Sequence, residues 1–353
     1  MPETFGAAPA PPLRLVIDSD ALAANWCALD RLSGAARAGA AVKANAYGTG
    51  ARASVDTLAA AGCRDFFVAH WCEAEEILDL VPRGAIAMLH GPSSAAEAHW
   101  AREAGVRPVI NSPAQAQAWL GAGGGTCDVM VDTGINRLGI PWRDLGSELI
   151  ARLDIDTLHS HLASSEEADS PLNPLQQRRW AEARGLIRHR RASLANSAGI
   201  MLGPDFHGDL TRPGLSLYGG VPCDALTPHI RQVVRIEAAV LQVRMLTAGD
   251  SVGYNATFTA SGPMRVGVIS LGYADGYLRC WSAGRGRALA NDGAVLPVLG
   301  RVSMDMTVID LSAAPSVGES DWIGIDYALP PAAAASGLSQ YELLTSIGRR
   351  FHR

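Results

Sequence analysis

Short, nearly continuous apolar runs recur along the first two thirds of the chain, separated by Ala-, Leu-, Glu- and Arg-rich segments with helical spacing. The runs lie at 38–43, 66–70, 85–90, 106–110, 127–133, 155–163, 191–197 and 209–212. Helical periodicity covers Asp20–Leu32, Trp71–Leu80, Ala95–Ala104, Pro113–Leu120, Arg143–Leu153 and Leu175–His189. Strands that are apolar throughout and alternate with helices predict a parallel sheet covered on both faces. Eight such runs favour a closed (β/α)8 barrel over an open doubly wound sheet.

The texture changes after about residue 228. Residues 230–246 alternate apolar and polar positions, and further β-like runs follow at 251–259, 264–271, 294–299 and 304–311. Asn291-Asp292-Gly293 falls between two of these runs and reads as a hairpin turn. The alanine run at 332–335 reads as a loop-like patch, and helical signal returns only at 339–350. The fold expected is therefore α/β. A Pro- and Ala-rich flexible segment spans 1–12, a (β/α)8 TIM-like barrel spans 13–227, and a mainly β domain spans 228–353.

Composition narrows the function classes. The formal net charge is −5 and no long basic run is present, which argues against a nucleic-acid partner. Cys27, Cys63, Cys72, Cys127, Cys223 and Cys280 are scattered with no C-x-x-C pair. They suggest reduced thiols in a cytoplasmic protein, not a disulfide framework or a metal site. The N-terminal segment lacks the basic and apolar regions of a secretory signal, and no stretch is long and apolar enough to span a bilayer.

Candidate chemistry centres on Lys43, which ends the first apolar run and precedes Ala-Asn-Ala-Tyr-Gly-Thr-Gly. In a barrel of this kind the chemistry lies at the C-terminal ends of the strands. A lysine placed there is partly desolvated, so its amine is more often neutral and nucleophilic, as an imine with an aldehyde cofactor requires. On pattern alone, a surface lysine at a strand end is the more common reading.

The full stretch A-V-K-A-N-A-Y-G resembles the pyridoxal-phosphate motif of bacterial alanine racemases. Six more segments resemble that family in its own order. They are V-D-T-G-I-N-R-L-G at 131–139, H-S-H-L-A at 159–163, A-N-S-A at 195–198, T-R-P-G-L-S-L-Y-G at 211–219, L-G-Y-A-D-G-Y at 271–277 and G-R-V-S-M-D at 300–305. The resemblance implies a pyridoxal 5′-phosphate-dependent isomerase that interconverts L- and D-alanine and so supplies D-alanine.

In that likeness Lys43 is the Schiff-base lysine and one catalytic base, and Tyr273 is the other. Racemisation needs a proton-transfer group on each face of a planar carbanion, and lysine and tyrosine have similar reference pKa values. Tyr47, Ser197 and the backbone amides of Gly214 and Leu215 match the phosphate-binding groups. Arg212 matches the arginine facing the pyridine nitrogen; it cannot give up its proton, so that nitrogen stays unprotonated. His161 resembles the histidine that supports this arginine. Arg137 and the Met304 amide match the groups that hold the substrate carboxylate, with Asp305 in a supporting role. The resemblance also implies a homodimer in which Tyr273 and Met304 reach the site from the other subunit.

The chain departs from the family pattern at three places. Met130 stands where many members carry a carbamylated lysine, and a thioether cannot hold Arg137 by hydrogen bonds. Ser303 replaces a common cysteine. The G-R-R-F-H-R tail ends at Arg353, where a further family tyrosine is expected. Alternatives within the same chemistry are a racemase of broader specificity, a pyridoxal-phosphate-dependent decarboxylase, and a non-catalytic carrier of the cofactor. An arginine at the pyridine nitrogen disfavours the decarboxylase, and the added β domain disfavours the carrier.

Overall fold

The computed structural model describes residues 9–352; residues 1–8 of the expected flexible segment lie outside the described residues. Two compact units form, one from Ser19 to Gln232 and one joining the chain before Ser19 to the chain from Val233 onward.

The Ser19–Gln232 unit is the barrel. Its first strand is Arg37–Ala38 continued as Ala40–Ala41, and the others are Phe66–Val68, Ile86–Met88, Arg107–Ile110, Thr126–Asp132, Asp154–His159, Arg191–Ser193 and Leu210–Thr211. Neighbours pair in parallel, as in Ala40 with Phe66 and Met130 with His159. The ring closes through Leu210–Thr211, which pairs with Arg37–Ala38. On its other side the N–H groups of Asp209 and Arg212 reach the carbonyls of Ala192 and Ala195, both at 2.8 Å. All eight apolar runs thus contain a barrel strand.

Side chains alternate across each strand. Cys127, Val129 and Val131 face outward and join Ile155, Leu158 and Ala192 in the core under the helices, with Trp119 and Trp180. The helices carry ordinary end signals: Ser94 Oγ accepts the Glu97 N–H at 3.2 Å, and Gly105 closes Ala95–Ala104 in the left-handed conformation. The expected helix Arg143–Leu153 is broken into the turn Trp142–Asp144 and the short helix Glu148–Ala151, because Gly146-Ser147 interrupts it and Ser147 caps the second piece. Ala51–Ala61, bounded by Gly50 and Gly62, is an additional helix.

In the second unit the long strand Val234–Leu246 pairs antiparallel with Leu13–Ile17, Met264–Ile269 and Trp322–Ile325. A bulge between Val240 and Gln242 redirects it partway along. Residues 13–18 were expected in the barrel and lie in this unit instead, because L-R-L-V-I finds its backbone partners in Val234–Ala238. The hairpin at Asn291-Asp292-Gly293 forms between Arg287–Leu289 and Val295–Leu299. The alanine run is helical, not a loop: Leu329–Ser336 starts with prolines in its first turn, continues in alanine, the best helix former, and ends at left-handed Gly337. The other helix of the tail is Gln340–Thr345.

Candidate active site

Lys43 directly follows the first barrel strand, and Val42 still donates its N–H to the Phe67 carbonyl at 2.9 Å. It is the only lysine in the chain. Beyond it the backbone winds left-handed, with φ of 54° at Ala44 and Asn45, 51° at Ala46 and 55° at Tyr47. Such geometry costs an L residue roughly 1–2 kcal/mol, so the turn persists only because its surroundings hold it. Glu73 supplies much of that hold. Its Oε1 accepts the Ala44 N–H at 2.6 Å, and its Oε2 accepts those of Ala69 and His70 at 2.7 and 3.1 Å. Asn45 Oδ1 also accepts the Ala51 N–H at 2.8 Å. Burial lowers the pKa of Lys43, the positive charges of Arg137 and Arg212 lower it further, and Glu73 opposes them. The balance raises the neutral, nucleophilic fraction of the amine.

The left-handed turn sends Tyr47 into the interior, where its ring stacks on Tyr218 with centroids 5.0 Å apart. Burial pushes the Tyr47 hydroxyl up to about 12, so it stays protonated and able to donate. A side chain at position 214 would place its Cβ 2.3 Å from that hydroxyl, so only glycine fits there. Ser197 Oγ accepts the N–H groups of Gly214 and Ser216 at 3.1 and 3.4 Å. Leu215 lies between them with its side chain buried. Among the described residues, Ser216 Oγ is buried without a hydrogen-bond partner. Hydroxyls and backbone donors gathered around an unsatisfied polar atom make a cradle suited to a phosphate.

Arg212 is buried, and both of its terminal nitrogens are engaged. Nη1 donates to Ser193 Oγ and to His159 Nδ1, the latter at 3.3 Å, and Nη2 donates to the Ser160 and Leu194 carbonyls. The histidine ring bonded to Arg212 is therefore that of His159, which sits at the end of its strand inside the barrel. His161, expected in that role, lies two residues further on, past the strand end; its carbonyl accepts from Gln176 at 2.9 Å. Burial and then Arg212, Arg137 and Lys43 press the His161 imidazole down to about 3, so it is neutral. With an amine at the barrel mouth, an anion cradle and a clamped guanidinium, the residues present fit pyridoxal phosphate.

Arg137 is exposed on the loop after the fifth strand and makes no hydrogen bond or ion pair among the described residues. Met130 is buried against Gly139, where an added Cβ would lie 3.0 Å from its Cγ. No second lysine exists in the chain to carry a carbamate elsewhere.

Tyr273, Met304 and Asp305 belong to the other unit, which brings them together. Tyr273 and Ala274 donate their N–H groups to the carbonyls of Ser303 and Met304, both at 3.0 Å. Gly272 packs so closely that a Cβ would lie 2.3 Å from the Met304 oxygen. Arg279 lies 5.3 Å from the centre of the Tyr273 ring. The Met304 side chain is exposed. Asp305 binds Arg350.

Sequence reasoning missed Glu73, Asp128, His159, Ser193, Ser216 and Arg350. A signal existed for two of them: Asp128 and His159 are polar residues at inward positions of otherwise apolar strands. No signal pointed to the Glu73–Ala44 or Arg350–Asp275 contacts, whose partners are distant in the sequence.

Comparison with known proteins agrees with this arrangement. Residues 17–222 match the model of the alanine racemase N-terminal domain, and residues 233–353 match that of the alanine racemase C-terminal domain. The chain is 40% identical to the alanine racemase of Acidiphilium cryptum over 96% of its own length and 97% of the relative's. It is 40% identical to that of Rhodospirillum rubrum, covering 96% and 94%. Its fold is similar to the crystal structure of alanine racemase from Bartonella henselae with covalently bound pyridoxal phosphate. The TM-score there is 0.90 and the identity 34%, over 98% of this chain and 99% of the other. On sequence, fold and site together, the chain belongs to the alanine racemase family.

Proposed function

We propose that this protein interconverts L- and D-alanine, with pyridoxal 5′-phosphate carried on Lys43. The observation that carries this reading is the chain's only lysine, desolvated after the first barrel strand and near enough to the buried Arg212 for that charge to lower its pKa. When bound, the cofactor supplies the electron sink that acidifies the Cα–H of alanine. Tyr47, Ser197 and the amides around Gly214 and Leu215 hold its phosphate. Arg212 keeps its proton and leaves the pyridine nitrogen unprotonated, and the neutral His161 stands near it.

Lys43 Nζ takes or returns the Cα proton on one face of the substrate. The Tyr273 hydroxyl of the partner subunit does so on the other face, which makes a homodimer a condition of activity. Arg137, together with the backbone N–H of Met304 of the partner subunit, holds the substrate carboxylate. Asp305 supports that contact. Since Arg137 has no fixed protein partner here, the carboxylate itself orders it. No helix is long and apolar enough to cross a membrane among the described residues, and all six cysteines are unpaired. A reducing, cytoplasmic location accords with these thiols.

A chiral assay of purified protein against a panel of amino acids tests the reading. Alanine is expected to racemise from either enantiomer. Turnover of another amino acid with none on alanine would contradict it.

A further inference from the structure

Inside the barrel, where branched apolar side chains ordinarily fill the space, charged side chains and one neutral histidine follow one another in a line. Arg212 Nη1 contacts His159 Nδ1 at 3.3 Å, and His159 Nε2 contacts Asp128 Oδ2 at 3.1 Å. The same Asp128 oxygen lies 3.5 Å from Arg107 Nε, and Arg107 continues to Asp65 and Asp156 at 3.2 and 3.4 Å. Both of those carboxylates end on Arg191, at 2.9 and 2.6 Å. Buried ionic networks are seldom the most stable filling for a core. This one ends on the arginine that faces the cofactor ring.

The hydrogen-bond chemistry gives the line a direction. Arginine has no acceptor, so His159 Nδ1 must accept from Arg212. The imidazole proton is then on Nε2 and is donated to Asp128. Asp128 in turn is fixed by the Thr157 N–H, which reaches its Oδ1 at 3.0 Å. His159 is wholly buried, and its ring lies edge-on to Phe67 with centroids 5.8 Å apart. The carboxylate thus sets the tautomer of the histidine, and the histidine sets one edge of the guanidinium. Ser193 and the Ser160 carbonyl hold the other positions on its terminal nitrogens. All of its hydrogen bonds among the described residues leave from the two terminal nitrogens, so Nε–H is the donor not engaged by the protein.

We propose that Asp128 and His159 are positioning residues for Arg212, holding its guanidinium so that Nε–H stays aimed at the ring nitrogen of the cofactor. This rests on the functional reading above. Neither residue touches the cofactor; both act through Arg212. The arrangement is the one by which a carboxylate orients a histidine toward a metal, with a guanidinium in the metal's place.

In the wild-type holoenzyme, 15N NMR should show His159 as the neutral Nε2–H tautomer at neutral pH. An Nδ1–H tautomer or an imidazolium would overturn the proposal whether or not any variant folds. Asp128→Asn and His159→Leu holoenzymes should bind pyridoxal phosphate roughly 10-fold more weakly, the usual cost of losing an orienting partner. Their cofactor absorption should shift in the same direction as that of Arg212→Lys. Asp156→Asn, on the same line but beyond Arg107, should lose stability while keeping cofactor affinity and spectrum. Wild-type affinity and spectrum in both Asp128→Asn and His159→Leu, with Arg212→Lys altered, would overturn the proposal alone. A wild-type protein that takes up no cofactor on Lys43 would overturn the functional reading and this inference with it.

Discussion

Arg350 donates from Nε to the buried Asp275 Oδ1 at 2.7 Å. With Nη1 it also reaches Asp305 at 2.6 Å, so one side chain of the C-terminal tail ties the Tyr273 loop to the Met304 loop. Asp275 in turn accepts the Gly272 N–H at 3.0 Å, next to Tyr273. The tail therefore shapes the surface that carries Tyr273, the proposed second catalytic base.

Arg350→Ala should lower kcat through misplacement of Tyr273, while cofactor content stays at the wild-type level. Its stability cost should be about 1 kcal/mol, since the guanidinium is half exposed and solvent screens it. Arg350→Lys should recover part of the rate. Cofactor absorbance, steady-state kinetics and denaturant unfolding check this; an unchanged kcat in Arg350→Ala would remove the tail from the site.

Gly214→Ala should damage the phosphate cradle, because the new Cβ would lie 2.3 Å from the Tyr47 hydroxyl. Tyr47 is packed against Tyr218, whose hydroxyl bonds to the Ala41 carbonyl at 2.9 Å, so it has little room to yield. Cofactor affinity is expected to fall by about tenfold, the equivalent of about 1.4 kcal/mol. Fluorescence titration of apoprotein with pyridoxal phosphate measures it.

Tyr273→Phe should impair proton transfer on one face only. Loss of a positioned acid–base group costs on the order of 100-fold or more. Racemisation should fall alike from both enantiomers, since an equilibrium constant of one ties the two directions together, while solvent deuterium should still enter the enantiomer whose Cα–H faces Lys43 and no longer the other. Full activity in both directions would take Tyr273 out of the mechanism.

Acid should weaken the barrel before it protonates Asp128. Burial holds His159 at about 4 and His161 at about 3, both below the ordinary 6.5. The unfolded chain therefore binds protons that the folded chain does not. Stability rises with pH through this window and is lost as pH falls from 6.5 toward 4, by about 1.4 kcal/mol per pH unit for each such histidine. Asp128 follows: burial would raise it, but Arg107 and His159 hold it at about 2 against an ordinary 3.8. Its contribution, present above 3.8, is lost below that pH. Urea unfolding across pH should show this slope, reduced in His159→Leu.

The barrel strands were legible because each is a short apolar run closed by local signals, and Lys43 stood out as the proposed cofactor lysine because its neighbours form a continuous motif. Leu13–Ile17 was not legible, since its partner strand begins at Val234 and nothing local reports so distant a pairing. The left-handed turn after Lys43 was hidden for the same reason. Alanine and tyrosine do not favour that backbone, and it is Glu73, in another helix, that holds it. Apolar periodicity reports which face of a strand meets the helices and is silent on what fills the barrel, so Asp128 and His159 passed as strand residues.

Borohydride reduction followed by peptide mass analysis tests the central claim most directly, because the chain offers one lysine. The account predicts that the reduced cofactor is found on the peptide containing Lys43, in a protein that is yellow before reduction. A colourless protein with an unmodified Lys43 peptide, or a label confined to the terminal amine, would contradict it.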